Sequence, residues 1–261
     1  MQDFIGTYTR YFDVVRADTP DRLDLAYRLR YQVYCVENQY EDSGRCPYGR
    51  EIDEDDDRSV HTLLIHRQSG TAVGTARLIL PQTDGERQLP IQRILGPAER
   101  VKFQRLPLDR TGEVSRFAIS KEFRRRRDDG RYPDGGYPYP PSGCYSAERR
   151  LLPHITFGLL RGILRICREY EVSVIAALVE PALWRILSRL GLDFGRLGPL
   201  VEHHGVRQPC VAPLVDLLRG SQSQGSLLWE YWEKEAAPVI AAPGFSVIDG
   251  RVEQVELDLS D

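Results

Sequence analysis

Two arginines, Arg77 and Arg116, sit inside otherwise apolar stretches, Gly74-Thr75-Ala76-Arg77-Leu78-Ile79-Leu80-Pro81 and Glu113-Val114-Ser115-Arg116-Phe117. A guanidinium taken out of water is costly unless carboxylates pair with it. The run Glu51-Ile52-Asp53-Glu54-Asp55-Asp56-Asp57 is the obvious source of partners, and Leu29-Arg30-Tyr31-Gln32-Val33-Tyr34 brings a third cation, Arg30. Two roles suit such a lattice. One is a structural ion-pair network; the other is a polar pocket that orients an amine substrate bearing its own carboxylate or carbonyl.

Several other chemistries fail on spacing. Asp53-x-Asp55-x-Asp57 imitates the start of a calcium loop, but position six is Arg58 instead of glycine and position twelve is Leu64 instead of glutamate. His203-His204 begins like a histidine acyltransferase motif, yet Gln208-Pro209 stands where an aspartate is needed. There is no G-x-S-x-G elbow and no phosphate-binding glycine loop. Five cysteines (Cys35, Cys46, Cys144, Cys167 and Cys210) are odd in number and lack a C-x-x-C pair, which argues against a disulfide framework or a zinc site and for a reducing cytoplasm. No metal is expected.

The elements that must position these residues read as follows. Phe12 to Arg16 suits a short strand, and Asp18-Thr19-Pro20 starts a helix that runs to Tyr34. Leu23, Tyr27 and Tyr31 form its stripe, with Ala26, Arg30 and Tyr34 beside it. His61–His66 and Thr71–Leu80 are β-runs joined by Arg67-Gln68-Ser69-Gly70, a hairpin signature. Pro90–Leu95 suggests a short helix and Gly112–Ser120 a further strand.

Arg124 to Pro141 breaks the pattern as a loop insertion, taken as 124–145. A long helix is expected from about Ser146, with Ile155, Leu159, Ile163 and Cys167 on one face and Arg161, Arg165 and Arg168 opposite. Val172–Val179 reads as a buried strand, Pro181 opens a helix ending at Gly191, and Leu192–Leu197 and Gly205–Val211 supply the last core strands. Ser221–Gly225 reads as a flexible joint, followed by a helix with Trp229 and Trp232 and a hairpin at Asp249-Gly250. The order predicts an α/β (α+β) chain with a mixed sheet flanked by helices. Its domain covers 1–220, with 221–261 as an extension.

At 261 residues, 41% hydrophobic and 28% charged, the chain can bury a sizeable core. A formal charge of −3 points neither to nucleic acid nor to an anionic membrane, so electrostatic recognition must be local. Asp3, Arg10, Asp13 and Arg16 leave no apolar stretch for a signal peptide, and no run reaches the ~18 residues of a membrane span.

Taken in order, the four motif segments resemble the acyl-homoserine-lactone synthases and the long-chain N-acyl amino acid synthases. The overall likeness is greatest to the acyltransferases of exosortase and PEP-CTERM protein-sorting systems. The pattern R-x-x-x-aromatic, E-x-D-x-x-D, R-L-x-x-P, E-x-S-R-F is met by Arg30, Tyr34, Glu51, Asp53, Asp56, Arg77, Glu113, Ser115 and Arg116. The likeness covers residues 12–120 best. Two departures count against a lactone product: Tyr40 stands where the lactone synthases place a tryptophan, and an extra residue precedes Pro81.

The resemblance implies a GCN5-related N-acetyltransferase (GNAT)-like fold and transfer of an acyl group from a thioester to a small amine, with an amino acid as the expected acceptor. It implies acyl-carrier protein (or acyl-coenzyme A) as co-substrate and no tightly bound cofactor. The carrier's pantetheine arm is expected along Glu113–Ser120. Glu113 is either the general base or an ion-pair partner of Arg77 or Arg116. Arg30, Tyr34, Glu51, Asp53, Asp56, Arg77 and Arg116 would shape the pocket, and Ser115 would bind carrier or substrate. Arg124, Arg125, Arg161 and Arg165 are the expected docking patches for an acidic carrier, although such runs are also common as solvated basic faces. A lactone synthase and a catalytically silent relative that binds an acylated carrier or lipid remain as alternatives.

Overall fold

The computed structural model describes residues 4–81, 87–121 and 155–241. In chain order they form α1 (Phe4–Tyr11), β1 (Phe12–Arg16), α2 (Pro20–Tyr31), β2 (Ser59–His66), β3 (Thr71–Ile79), α3 (Pro90–Ile94), α4 (Pro97–Phe103), β4 (Thr111–Ile119), α5 (Thr156–Glu169), β5 (Val174–Val179), α6 (Pro181–Arg189), β6 (Gly195–Arg196), β7 (Val201–Glu202), β8 (Val206–Pro213), α7 (Leu214–Ser223) and α8 (Leu227–Ala241). The strands make one mixed sheet in the order β1-β2-β3-β4-β5-β8-β6, with β7 paired to β8. Among the described residues, only β4 and β5 pair parallel.

Local chemistry explains the elements. Thr19 caps α2 by accepting from Arg22 N–H, with Pro20 at the first helical position. The α-helix stops at Tyr31, short of the expected Tyr34, and Gln32–Glu37 continues as a π-helix. That wider turn re-aims Tyr34 relative to the stripe of α2, as π-bulges do at functional sites. Gly70, at φ +67°, closes the β2–β3 hairpin.

Along β3, Ala76 and Leu78 point into the main core, whereas Arg77 lies on the opposite face. Helix α5 covers the core face. It approaches β2 so closely at Gly162 that a Cβ there would stand 2.1 Å from Thr62 Oγ1. Helix α8 packs Leu228, Trp229, Tyr231 and Trp232 into the same core. The Ser221–Gly225 stretch is no joint: Ser221 is buried in the last turn of α7, and its hydroxyl meets that of Ser226 at 3.0 Å. The expected strand 192–197 shrinks to Gly195–Arg196, and α1 and α4 were not foreseen. The hairpin at Asp249-Gly250 and the insertion 124–145 lie outside the described residues. Among the described residues no helix is long and apolar enough to cross a membrane.

Candidate active site

The three cations of the sequence pattern converge. Arg77 stands between His61 on β2 and Ser115 on β4 by strand register, so these three side chains share one face of the sheet. Arg30 reaches that face from α2. The acidic segment between α2 and β2 closes over them. Arg30 donates to Glu51 (2.5 Å) and Asp56 (2.6 Å), and Arg77 to Asp53 (2.5 Å) and Asp56 (2.8 Å). Arg116 stands 3.0 Å from Glu51, 2.9 Å from Asp53 and 3.4 Å from Glu41. Arg30, Arg77, Glu51 and Glu113 are all buried.

Arg116 reaches these acids through a β-bulge. The β3–β4 register shifts between Thr75 and Arg77, and Arg116 takes φ +48°, a left-handed conformation that costs a non-glycine residue roughly 1–2 kcal/mol. The carboxylates offset that strain, and its guanidinium lies 5.2 Å over the Tyr34 ring.

Electrostatics follow from this packing. Burial raises the Glu51, Asp53 and Asp56 carboxyls, but the arginines outweigh it, together with His61 for Asp56, and hold all three below the usual range. His61, 3.3 Å from Asp56, is pushed down by burial and by Arg30, so it is neutral near pH 7. Three cations thus face three anions in a closed set. Ser115 belongs to it as well: its hydroxyl accepts from Arg77 Nε at 3.0 Å.

Glu113 differs from its acidic neighbours. It makes no ion pair among the described residues, although Arg77 sits one pleat away. Its Oε2 accepts from the Ile91 N–H at 2.8 Å, one of the free amides at the start of α3. It is 3% exposed, and burial pushes its carboxyl up to about 7. A carboxyl poised there takes or gives a proton near neutral pH.

Glu113 also stands at a fork. Strand β4 stays paired to β3 as far as Ile119, whereas its pairing with β5 ends at Val114–Ala177. Beyond that point the two parallel strands part. A cavity of about 510 Å³ opens in the gap. One end is polar and holds Asp53, Arg77, Glu113, Ser115 and Arg116; the other is apolar, with Leu160, Leu164, Leu183, Leu187 and Trp232 among its walls. Polar groups at one end of an apolar cleft suit a ligand with a reactive head and a hydrocarbon tail.

The structure therefore brings together Arg30, Tyr34, Glu51, Asp53, Asp56, Arg77, Glu113, Ser115 and Arg116. Arg161 and Arg165 lie elsewhere. Both converge on Glu235 of α8, at 2.5 and 3.0 Å, and Arg161 also stacks on Tyr231. Arg124 and Arg125 fall outside the described residues. Sequence reasoning missed His61, His204 and Arg207 as site residues and noted Tyr40 only as a departure from the lactone synthases. A histidine near Arg77 across the expected hairpin was the available signal for His61; Arg207 had none, and His204 only a passing His203-His204 motif.

Residues 29–129 match the acetyltransferase (GNAT) domain family. No curated protein matches the chain. Its fold is similar to that of the acyl-homoserine-lactone synthase LasI, at 18% identity and a TM-score of 0.51 over 77% of this chain and 87% of that one. It is similar to FeeM, an N-acyl amino acid synthase from uncultured soil microbes, at 16% and 0.52 over 82% and 97%. It is also similar to BjaI, a CoA-dependent acyl-homoserine-lactone synthase with SAM and isopentyl-CoA, at 16% and 0.52 over 85% and 89%. The expected GNAT-like fold is present, and acyltransferase is the enzyme class that the matched domain supports.

Proposed function

We propose that the protein is an N-acyltransferase that moves a long acyl chain from an acyl-carrier-protein thioester to the amine of a small molecule, an amino acid, in the cytoplasm. The observation that carries this reading is the fork of β4 and β5, with an unpaired, buried Glu113 at its root and an apolar cavity leading away from it. The thioester carbonyl lies in the gap, the acyl tail fills the apolar end, and the pantetheine arm pairs with the free edge of β4.

The step needs no covalent enzyme intermediate. The amine nitrogen attacks the carbonyl carbon, main-chain N–H groups of β4 stabilise the oxyanion, and the thiolate leaves. The proton lost by the amine passes to Glu113 and then to the departing sulfur, so an amide and a free thiol are the products. A free α-amino group, with a pKa of about 7.7–8, needs only mild assistance. The closed ionic set around Arg77 shapes and excludes water from the acceptor end without reacting itself.

The likeness to exosortase-associated acyltransferases favours an open amide over a lactone, as does Tyr40, which stacks on His204. Coenzyme A in place of the carrier protein is the alternative donor. Carrier docking is assigned to Arg124 and Arg125, with a lesser part for Arg165, which is 42% exposed despite its pairing with Glu235. Mass spectrometry of lipid extracts from cells expressing the protein tests the proposal. New N-acyl amino acids are expected with the wild type and absent with Arg77→Ala. An acyl-homoserine lactone would select the alternative product, and no acylated amine at all would refute the reading.

A further inference from the structure

Four arginines line the cavity: Arg77, Arg93, Arg116 and Arg207. Carboxylates already saturate two of them, Arg77 with Asp53 and Asp56, and Arg116 with Glu41, Glu51 and Asp53. Arg93 is half exposed and paired with Glu54. Arg207, on β8, is different. Its side chain is 15% exposed, and its carboxylate partner among the described residues, Glu180 at 3.4 Å, is 56% exposed. That contact is a long ion pair to a carboxylate more than half exposed to water, which screens it, so a carboxylate brought into the cavity competes for Nη1. Nε and Nη2 are fixed by the carbonyls of His203 (3.3 Å) and His204 (2.6 Å), which hold the guanidinium in place.

The surroundings complete a charge pattern. Arg207 lies 5.7 Å over the Tyr40 ring, and Tyr40 stacks on His204 at 5.8 Å. At the edge of the His204 ring, Glu41 stands 3.4 Å from Nε2 and 3.4 Å from Arg116. Glu41, Asp53 and Glu113 face the same cavity. Asp53 and Glu41 are already paired with Arg77 and Arg116, so Glu113, with no ion pair among the described residues, and the weakly paired cation beside Tyr40 are the groups complementary to a zwitterion.

We infer that Arg207 receives the carboxylate of the acceptor, so that the substrate is an α-amino acid bound with its nitrogen toward Glu113. This rests on the amide-forming reading above. A charge-assisted contact of this kind selects for the free acid, because an amine without a carboxylate leaves the guanidinium without its partner.

The test uses the full-length protein, a carrier protein charged with a C16 acyl group, and an equimolar mixture of the twenty standard amino acids. Mass spectrometry identifies the acceptor acylated fastest, which is then compared with its own carboxamide. The wild type is expected to prefer the free acid, and Arg207→Met to raise KM for the acid about 10- to 100-fold while leaving kcat and the carboxamide rate unchanged. Arg207→Lys is expected to restore part of the preference. If Arg207→Met slows acid and carboxamide alike, the residue is only a clamp on the β7–β8 turn and the inference fails. Equal use of acid and carboxamide by the wild type overturns it too. If the wild type acylates no amino acid, the amide-forming reading itself falls.

Discussion

Two of the arginine–carboxylate clusters in the molecule do different work. Around Arg77, three guanidiniums and three carboxylates close into a buried set that walls the polar end of the cavity. Around Glu235, Arg161 and Arg165 pin α8 to α5 on the outer side of the same core. The pairings are chemically alike. What separates them is the strand geometry beside them: the first lies next to a fork between parallel strands, the second between two packed helices. Function here follows from what the ions adjoin more than from the ions themselves.

The largest effect expected from this contrast is on folding. Arg77→Met leaves the buried Asp56 carboxylate and the partly exposed Asp53 with one cation fewer, and a loss of about 3–5 kcal/mol in urea-unfolding free energy is expected. The outer cluster should be more forgiving. Arg161→Met still leaves Arg165 on Glu235, so a loss of only about 1 kcal/mol is expected, with kcat/KM for acyl transfer unchanged. Equal losses at both sites would erase the distinction.

Glu113 sharpens the comparison, because among the described residues it is the buried carboxyl of this face that no arginine pairs. Its folded pKa of about 7 lies above the unfolded value. Its stabilising contribution is therefore fully present below the unfolded pKa and is lost as pH rises through 7, where folding must bury the charge. Glu113→Gln, which keeps an acceptor for the Ile91 N–H, should match the wild type at pH 4 and exceed it by about 3 kcal/mol at pH 8. A stability difference independent of pH would show that the carboxyl titrates in the folded protein as it does in the unfolded chain.

Much of the clamp was legible in the sequence, since an arginine in an apolar strand demands a carboxylate and the run at 51–57 was the nearest supply. The strands and the Thr19 cap were legible for similar local reasons. Three things were not. A bulge between Leu64 and Ile65 shifts the hairpin register by one residue, which is what sets His61 directly across from Arg77. A second bulge turns Arg116 onto the face of Ser115, against simple alternation. The partners Glu235 for Arg161 and Ile91 for Glu113 are 74 and 22 residues away, so no spacing rule could find them.

Cysteine counting likewise gave no hint that the free thiols of Cys35 and Cys46 lie 3.5 Å apart. Ser221–Gly225 misled because small polar residues mark joints by composition, yet here Ser221 is buried and its hydroxyl meets that of Ser226 just before α8.

The central claim is that a buried carboxyl at the fork of β4 and β5 takes the amine's proton. Its most direct test is the pH dependence of kcat/KM for thioester aminolysis in the wild type and Glu113→Gln. The wild type is expected to gain activity through an apparent pKa near 7, in addition to the amine's own limb near ~8. Glu113→Gln should lose the lower limb and about 10²-fold or more in rate. A variant that keeps both the rate and the lower limb would contradict the account.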